Sequence, residues 1–110
     1  MEKVADFASP GGMQVAQIGN PLTSDTIIYP THRMHHVTGA NLIKSISTRY
    51  LSDDFVGPII LLADANWTWD ATGNIAALGD AVVVGRAYPF WFDRQTAKWY
   101  PIGTITINPS

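Results

Sequence analysis

From Thr26 onward, apolar and polar residues alternate in short runs broken by Gly, Pro and Asn, the signature of short β-strands. Thr26-Ile27-Ile28-Tyr29 is β-branched and aromatic, and Pro30 stops or bends it. Thr31–Thr38 and Leu42–Thr48 flank Gly39-Ala40-Asn41 and are expected to pair as a hairpin. Tyr50–Gly57 reads as a loop. Ile59–Ala63 is a short strand apolar on both faces, and Asp64-Ala65-Asn66 turns the chain into a short edge piece, Trp67–Trp69. Residues 71–80 are small and turn-rich. Ala81–Phe92 is the longest strand expected, with large groups on its even positions and mostly small ones on its odd positions. That division suits a strand packed closely on both sides. Asp93–Ala97 is a hairpin loop, after which Lys98–Pro101 and Gly103–Ile107 return as the last strands.

Residues 1–24 differ in texture. Ser9-Pro10-Gly11-Gly12 and Gly19-Asn20-Pro21 are breakers, with at most one short strand over Met13–Ile18. This reads as an extended attachment arm, and 25–110 as a single β-domain. No window carries sustained helical apolar spacing with caps, and only Asn74–Leu78 suits a single helical turn. No internal repeat is visible. The expected fold is all-β: an antiparallel β-sandwich or jelly roll preceded by the N-terminal arm.

Composition sharpens this. Of the 110 residues only 15% are charged while 46% are hydrophobic, against a usual charged share of about 25%. A surface so poor in charge is better explained if neighbours cover part of it. The seven basic residues are scattered and the net charge is −2, so nucleic-acid binding has no electrostatic footprint. Absence of cysteine removes disulfides, thiolate metal sites and cysteine nucleophiles. The N-terminus lacks a signal-peptide core, and no apolar run approaches the roughly 20 residues of a membrane helix. Folding in a cytoplasm is expected, with neither membrane nor nucleic acid as partner.

Candidate chemistry is sparse. All three histidines lie in Thr31-His32-Arg33-Met34-His35-His36. On a strand, His32 and His36 would share a face about 13 Å apart, too far for one ion, with His35 opposite. Hydrogen bonding to neighbouring strands is the plainer role. Asp53-Asp54 diverge on an extended backbone, and Asp64, Asp70, Asp80 and Asp93 sit where Asp forms turns. No nucleophile elbow, phosphate-binding glycine loop or complete calcium loop is present. The expectation is a protein without cofactor that is not an enzyme. Trp67 and Trp69 share a strand face. Exposed, they would form a stacking platform; burial fits the cost of leaving Trp bare better.

Several segments together resemble a known family. They are Thr31–Gly39, Ile43-Lys44-Ser45-Ile46, Phe55–Asp64, Gly73-Asn74-Ile75-Ala76, Ala81–Ala87 and Lys98-Trp99-Tyr100-Pro101. In this order and spacing they resemble a β-domain of tailed-bacteriophage virion proteins: head-decoration (cement) or head-fibre proteins, and tail-fibre or spike modules. The resemblance covers residues 27–101 and departs at Asp64–Trp69, where Gly, Ser and Thr would be expected. It implies a non-enzymatic virion component, usually trimeric.

The expected function is therefore a homotrimeric capsid decoration protein, partnered by its own copies and by the major capsid or another virion protein. Expected contact residues are His32, His36, Val82, Val84, Tyr88, Phe90, Trp67 and Trp69. The competing expectations are a tail-fibre or carbohydrate-binding module that uses Trp67 and Trp69, and a cupin-like metal enzyme that uses the histidines.

Overall fold

The computed structural model describes residues 18–79 and 81–103, and these form an all-β structure of nine strands. The strands are β1 (Leu22–Thr23), β2 (Ile27–Ile28), β3 (Met34–Thr38), β4 (Leu42–Ile43), β5 (Ser45–Ile46), β6 (Gly57–Ala63), β7 (Thr68–Trp69), β8 (Ala87–Asp93) and β9 (Lys98–Pro101). One five-stranded sheet has the order β1-β3-β6-β8-β9, and two two-stranded sheets pair β2 with β5 and β4 with β7.

Pairing in the first half of the chain is parallel. β1, β3 and β6 run parallel, as do β2–β5 and β4–β7. Met34 stands against Ile60 and Leu42 against Thr68, so one 26-residue offset governs both ladders. The chain thus winds in stacked turns, adding a strand to the large sheet on each turn and to the two small sheets on two of them, before it reverses into the antiparallel β6–β8 and β8–β9 ladders. The wholly antiparallel arrangement expected from the sequence is replaced by a mixed sheet. The reason lies at Gly39. Its φ of +81° turns the chain out of β3 at a corner, where the Ser24 hydroxyl accepts from Asn41 N–H and the Ser24 carbonyl accepts from its amide. The segments flanking Gly39 therefore enter different sheets and do not form the expected hairpin.

Two further expectations are corrected. The strand expected over Ala81–Phe92 is confined to Ala87–Asp93, because Gly85 takes φ +92° and Val83–Arg86 closes a turn. Tyr88 fixes that turn by accepting the Val83 N–H at its hydroxyl, 2.7 Å away. The strand expected to open at Ile59 begins two residues earlier, at Gly57. The hairpin at Asp93–Ala97 forms as expected, with Asp93 accepting the Gln95 and Ala97 N–H groups and Ala97 at φ 56°. Strand positions expected over Gly103–Ile107 and Met13–Ile18 lie mostly outside the described residues. Within residues 18–24, Ile18 bridges Met34 and β1 pairs with β3, so this stretch is laid along the sheet.

The core collects the inner faces of all three sheets. Ile28, Ile43, Ile46, Ile59, Leu61, Ile75 and Val82 are buried with the aromatic residues Trp67, Trp69, Tyr88, Phe90, Phe92 and Trp99. The rings pair in two groups, Trp67, Trp69, Tyr88 and Phe90 in one and Phe92 with Trp99 in the other, 4.9–6.3 Å apart and tilted or edge-on, an arrangement worth about 0.5–1.5 kcal/mol per pair beyond area burial. Each buried indole N–H finds a backbone carbonyl: Trp67 on Val37, Trp69 on Ala77 and Trp99 on Ile46. Asn74 completes the short β5 edge. Its carboxamide accepts the Ile46 N–H at 2.8 Å and donates to the Ile46 carbonyl at 2.7 Å, as a neighbouring strand would.

Candidate functional site

The strand alternation divides the five-stranded sheet into two faces. Val37, Ile59, Leu61, Tyr88, Phe90, Phe92 and Trp99 point into the core. The opposite face is also apolar. Ile18, Met34, Ile60, Pro89 and Ile102 stand side by side in one row that crosses the whole sheet. Pro58, Trp91 and Tyr100 form a second row beside it, and His36, Leu62 and Ala87 a third. Ile18 and Ile102 are each 55% exposed and Trp91 45%, Met34, Ile60 and Leu62 are half-buried, and Ala87 and Pro89 are buried between them. Among the described residues charge returns at the margins, with Asp93 opposite Lys98, Asp64 beside His36 and the Arg33 guanidinium on the Pro58 carbonyl.

Of the contact residues expected from sequence, five are interior. Trp67 is 0% and Trp69 8% exposed, and Val82, Tyr88 and Phe90 are equally enclosed. Such side chains have no surface to offer a partner or a sugar while the domain stays folded. Val84 is exposed in the loop after the buried Val82. His36 is exposed on the outer sheet face, and His32 is half-buried at the start of the bend before β3. The apolar outer-face residues that the sequence reading did not single out are Met34, Pro58, Ile60, Leu62, Trp91, Tyr100 and Ile102. Two signals marked them: Ile59–Ala63 is apolar on both faces, and Trp91 stands on the strand face otherwise filled by small residues.

The histidines separate differently from the strand expectation. Because β3 begins at Met34, His32 lies in the preceding bend and faces His35 instead of His36, the two rings being 5.9 Å apart and edge-on. His35 is buried. Its Nδ1 is 2.7 Å from the Asn20 carbonyl, and its Nε2 lies 3.0 and 3.1 Å from the N–H groups of Thr31 and His32. Two donors at Nε2 require a lone pair there, so the proton sits on Nδ1 and the ring is neutral. Burial pushes its pKa below the ordinary 6.5, against the Asn20 carbonyl, which raises it; nearby His32 lowers it further. Gly19 packs directly on this ring, and a β-carbon there would collide with it. His36 Nδ1 donates to Asp64 Oδ1 at 2.9 Å, a pair about half exposed. At such exposure it contributes at most about 1 kcal/mol. Among the described residues no three His, Cys, Asp or Glu side chains converge as a metal-binding set.

Comparison of the chain with protein-family models, with curated proteins and with solved structures found no match.

Proposed function

We propose that the chain is a structural assembly domain whose copies pack through the outer face of the five-stranded sheet. One observation carries this reading: the row Ile18–Met34–Ile60–Pro89–Ile102, flanked by Trp91 and Tyr100, on the side of the sheet away from the core. Its exposed parts, Ile18, Trp91, Tyr100 and Ile102, are costly in water, and neighbouring apolar surface marks a contact site. The occupant that fits is a second copy. The strip carries no charge to draw an ionic partner, and aromatic and aliphatic groups that exclude water from one another are what it would meet on itself. Closed symmetry then hides all such strips without leaving one to propagate.

The finer reading is a homotrimeric decoration protein of a bacteriophage head, located in the virion, with the N-terminal arm expected over residues 1–24 reaching the major capsid protein. It draws on the sequence resemblance, the low charge and the apolar strip. Antibody raised against the purified protein should label the heads of intact particles whose genome encodes it in electron micrographs. Label confined to tails, or none on particles, would remove the head assignment. Deleting residues 1–17, which leaves β1 intact, should abolish attachment while the assembly persists.

A further inference from the structure

Away from the apolar strip, the bend before β3 and the loop after β5 enclose an open cleft of about 280 Å³. Thr31–Arg33 forms one wall, and Tyr50–Ser52 with Phe55 the other. Its polar groups are held in place before any ligand arrives. The Arg33 guanidinium lies 4.7 Å over the Phe55 ring and donates one N–H to the Pro58 carbonyl at 3.0 Å. That fixes the fork and leaves its other donors for a ligand. Among the described residues no carboxylate pairs with Arg33, and neither Asp53 nor Asp54 of the same loop lines the cleft. Tyr50, 57% exposed, is propped against Tyr29 at 6.0 Å, and the Arg49 guanidinium lies 5.7 Å over its ring. The loop itself is tied by Arg49 N–H to the Ser47 hydroxyl, Leu51 N–H to Thr48 and Phe55 N–H to Ser52.

A planar bidentate donor beside an exposed aromatic ring and the Ser52 hydroxyl, with the Thr31 hydroxyl held 2.7 Å from His32 Nδ1, is a specific combination. We propose that this cleft binds a carboxylate-bearing pyranose, a uronic-acid type of sugar residue, with its carboxylate on Arg33 and its ring against the face of Tyr50 that Arg49 leaves open. The fork matches a planar carboxylate through two parallel hydrogen bonds. An aromatic wall takes the apolar face of a sugar ring, and the Ser52 hydroxyl matches its rim. The volume holds one ring, so binding of a single residue is weak and an oligosaccharide gains through neighbouring contacts. This site is independent of the self-association reading, since none of its walls belongs to the apolar strip.

The test is an NMR titration of the isotope-labelled full chain with methyl glucuronide, methyl glucoside and inorganic phosphate. Methyl glucuronide should shift the amides of Thr31–Arg33 and Tyr50–Phe55 in a saturable way, and methyl glucoside at equal concentration should not. Arg33→Lys, which keeps the charge and loses the fork, should weaken binding at least tenfold, as should Tyr50→Ala on the exposed loop. Unchanged Trp indole signals in both variants would certify the fold. No saturable shift with methyl glucuronide would overturn the proposal. So would phosphate binding equally well with Tyr50→Ala without effect, which would leave a plain anion site.

Discussion

His35 donates through Nδ1 to the Asn20 carbonyl at 2.7 Å, so a buried imidazole ties the segment entering the sheet to β3. The opposite ring nitrogen accepts two backbone N–H groups, from Thr31 and His32. Protonation would aim a third N–H at those two and break the cluster. The folded state therefore binds a proton less readily than the unfolded chain, whose histidine titrates near 6.5. Stability is full above that value and falls as pH drops below it, levelling once the folded state also protonates. Thermal unfolding followed across this range should show the decline. In His35→Leu the histidine-linked part of the slope should vanish, and the orphaned amides should cost about 1–3 kcal/mol at neutral pH. A ring carrying its proton on Nε2 in nitrogen NMR spectra would contradict this arrangement.

Trp67 touches Trp69 and Tyr88 and closes the bond to Val37 that joins β3 to the turn before β7. Trp67→Ala should cost about 3–5 kcal/mol, from lost burial and the cavity left behind. Trp67→Phe keeps most of the apolar volume but leaves the Val37 carbonyl short of its donor, so a smaller loss is expected. Denaturant unfolding measures both: a Trp67→Phe variant as stable as the parent would show that the indole N–H contributes nothing, and equal losses in the two variants would contradict the burial argument.

Asn74 stands in for a missing strand beside Ile46, and both arms of its carboxamide are used. Asn74→Asp retains the shape but presents an acceptor to the Ile46 carbonyl, and Asn74→Ala removes both bonds. Each should lose about 1–3 kcal/mol, with Asp no better than Ala at neutral pH. An aspartate variant as stable as the parent in chemical denaturation would contradict the pairing.

The all-β class was legible because Ile59–Ala63 and Lys98–Pro101 announce themselves through apolar, β-branched and aromatic residues. The parallel winding was not. Strands such as Leu22–Thr23 and Leu42–Ile43 are two residues long, too short to carry a period. The 26-residue offset requires only that Val37 and Ile43 stack on Ala63 and Trp69, which needs apolar groups at those places and no repeated sequence. Gly39 was legible as a turn, yet a hairpin and a corner between sheets both use a glycine at positive φ. The apolar outer face was half legible. Alternation cannot tell a strand sandwiched between layers of its own domain from one that lends its second face to the surface, and Ile60 and Leu62 sit on that ambiguity.

The central claim is that the outer sheet face is an interface between copies of this chain. Sedimentation equilibrium of the purified protein tests it, with Ile60→Asp and Trp91→Glu measured alongside. The parent should sediment as a trimer, three times the 12.0 kDa chain mass. Both variants should fall to single chains that keep the near-ultraviolet circular dichroism of the buried tryptophans. A parent that stays a single chain at high concentration would contradict the account, as would variants that assemble unchanged.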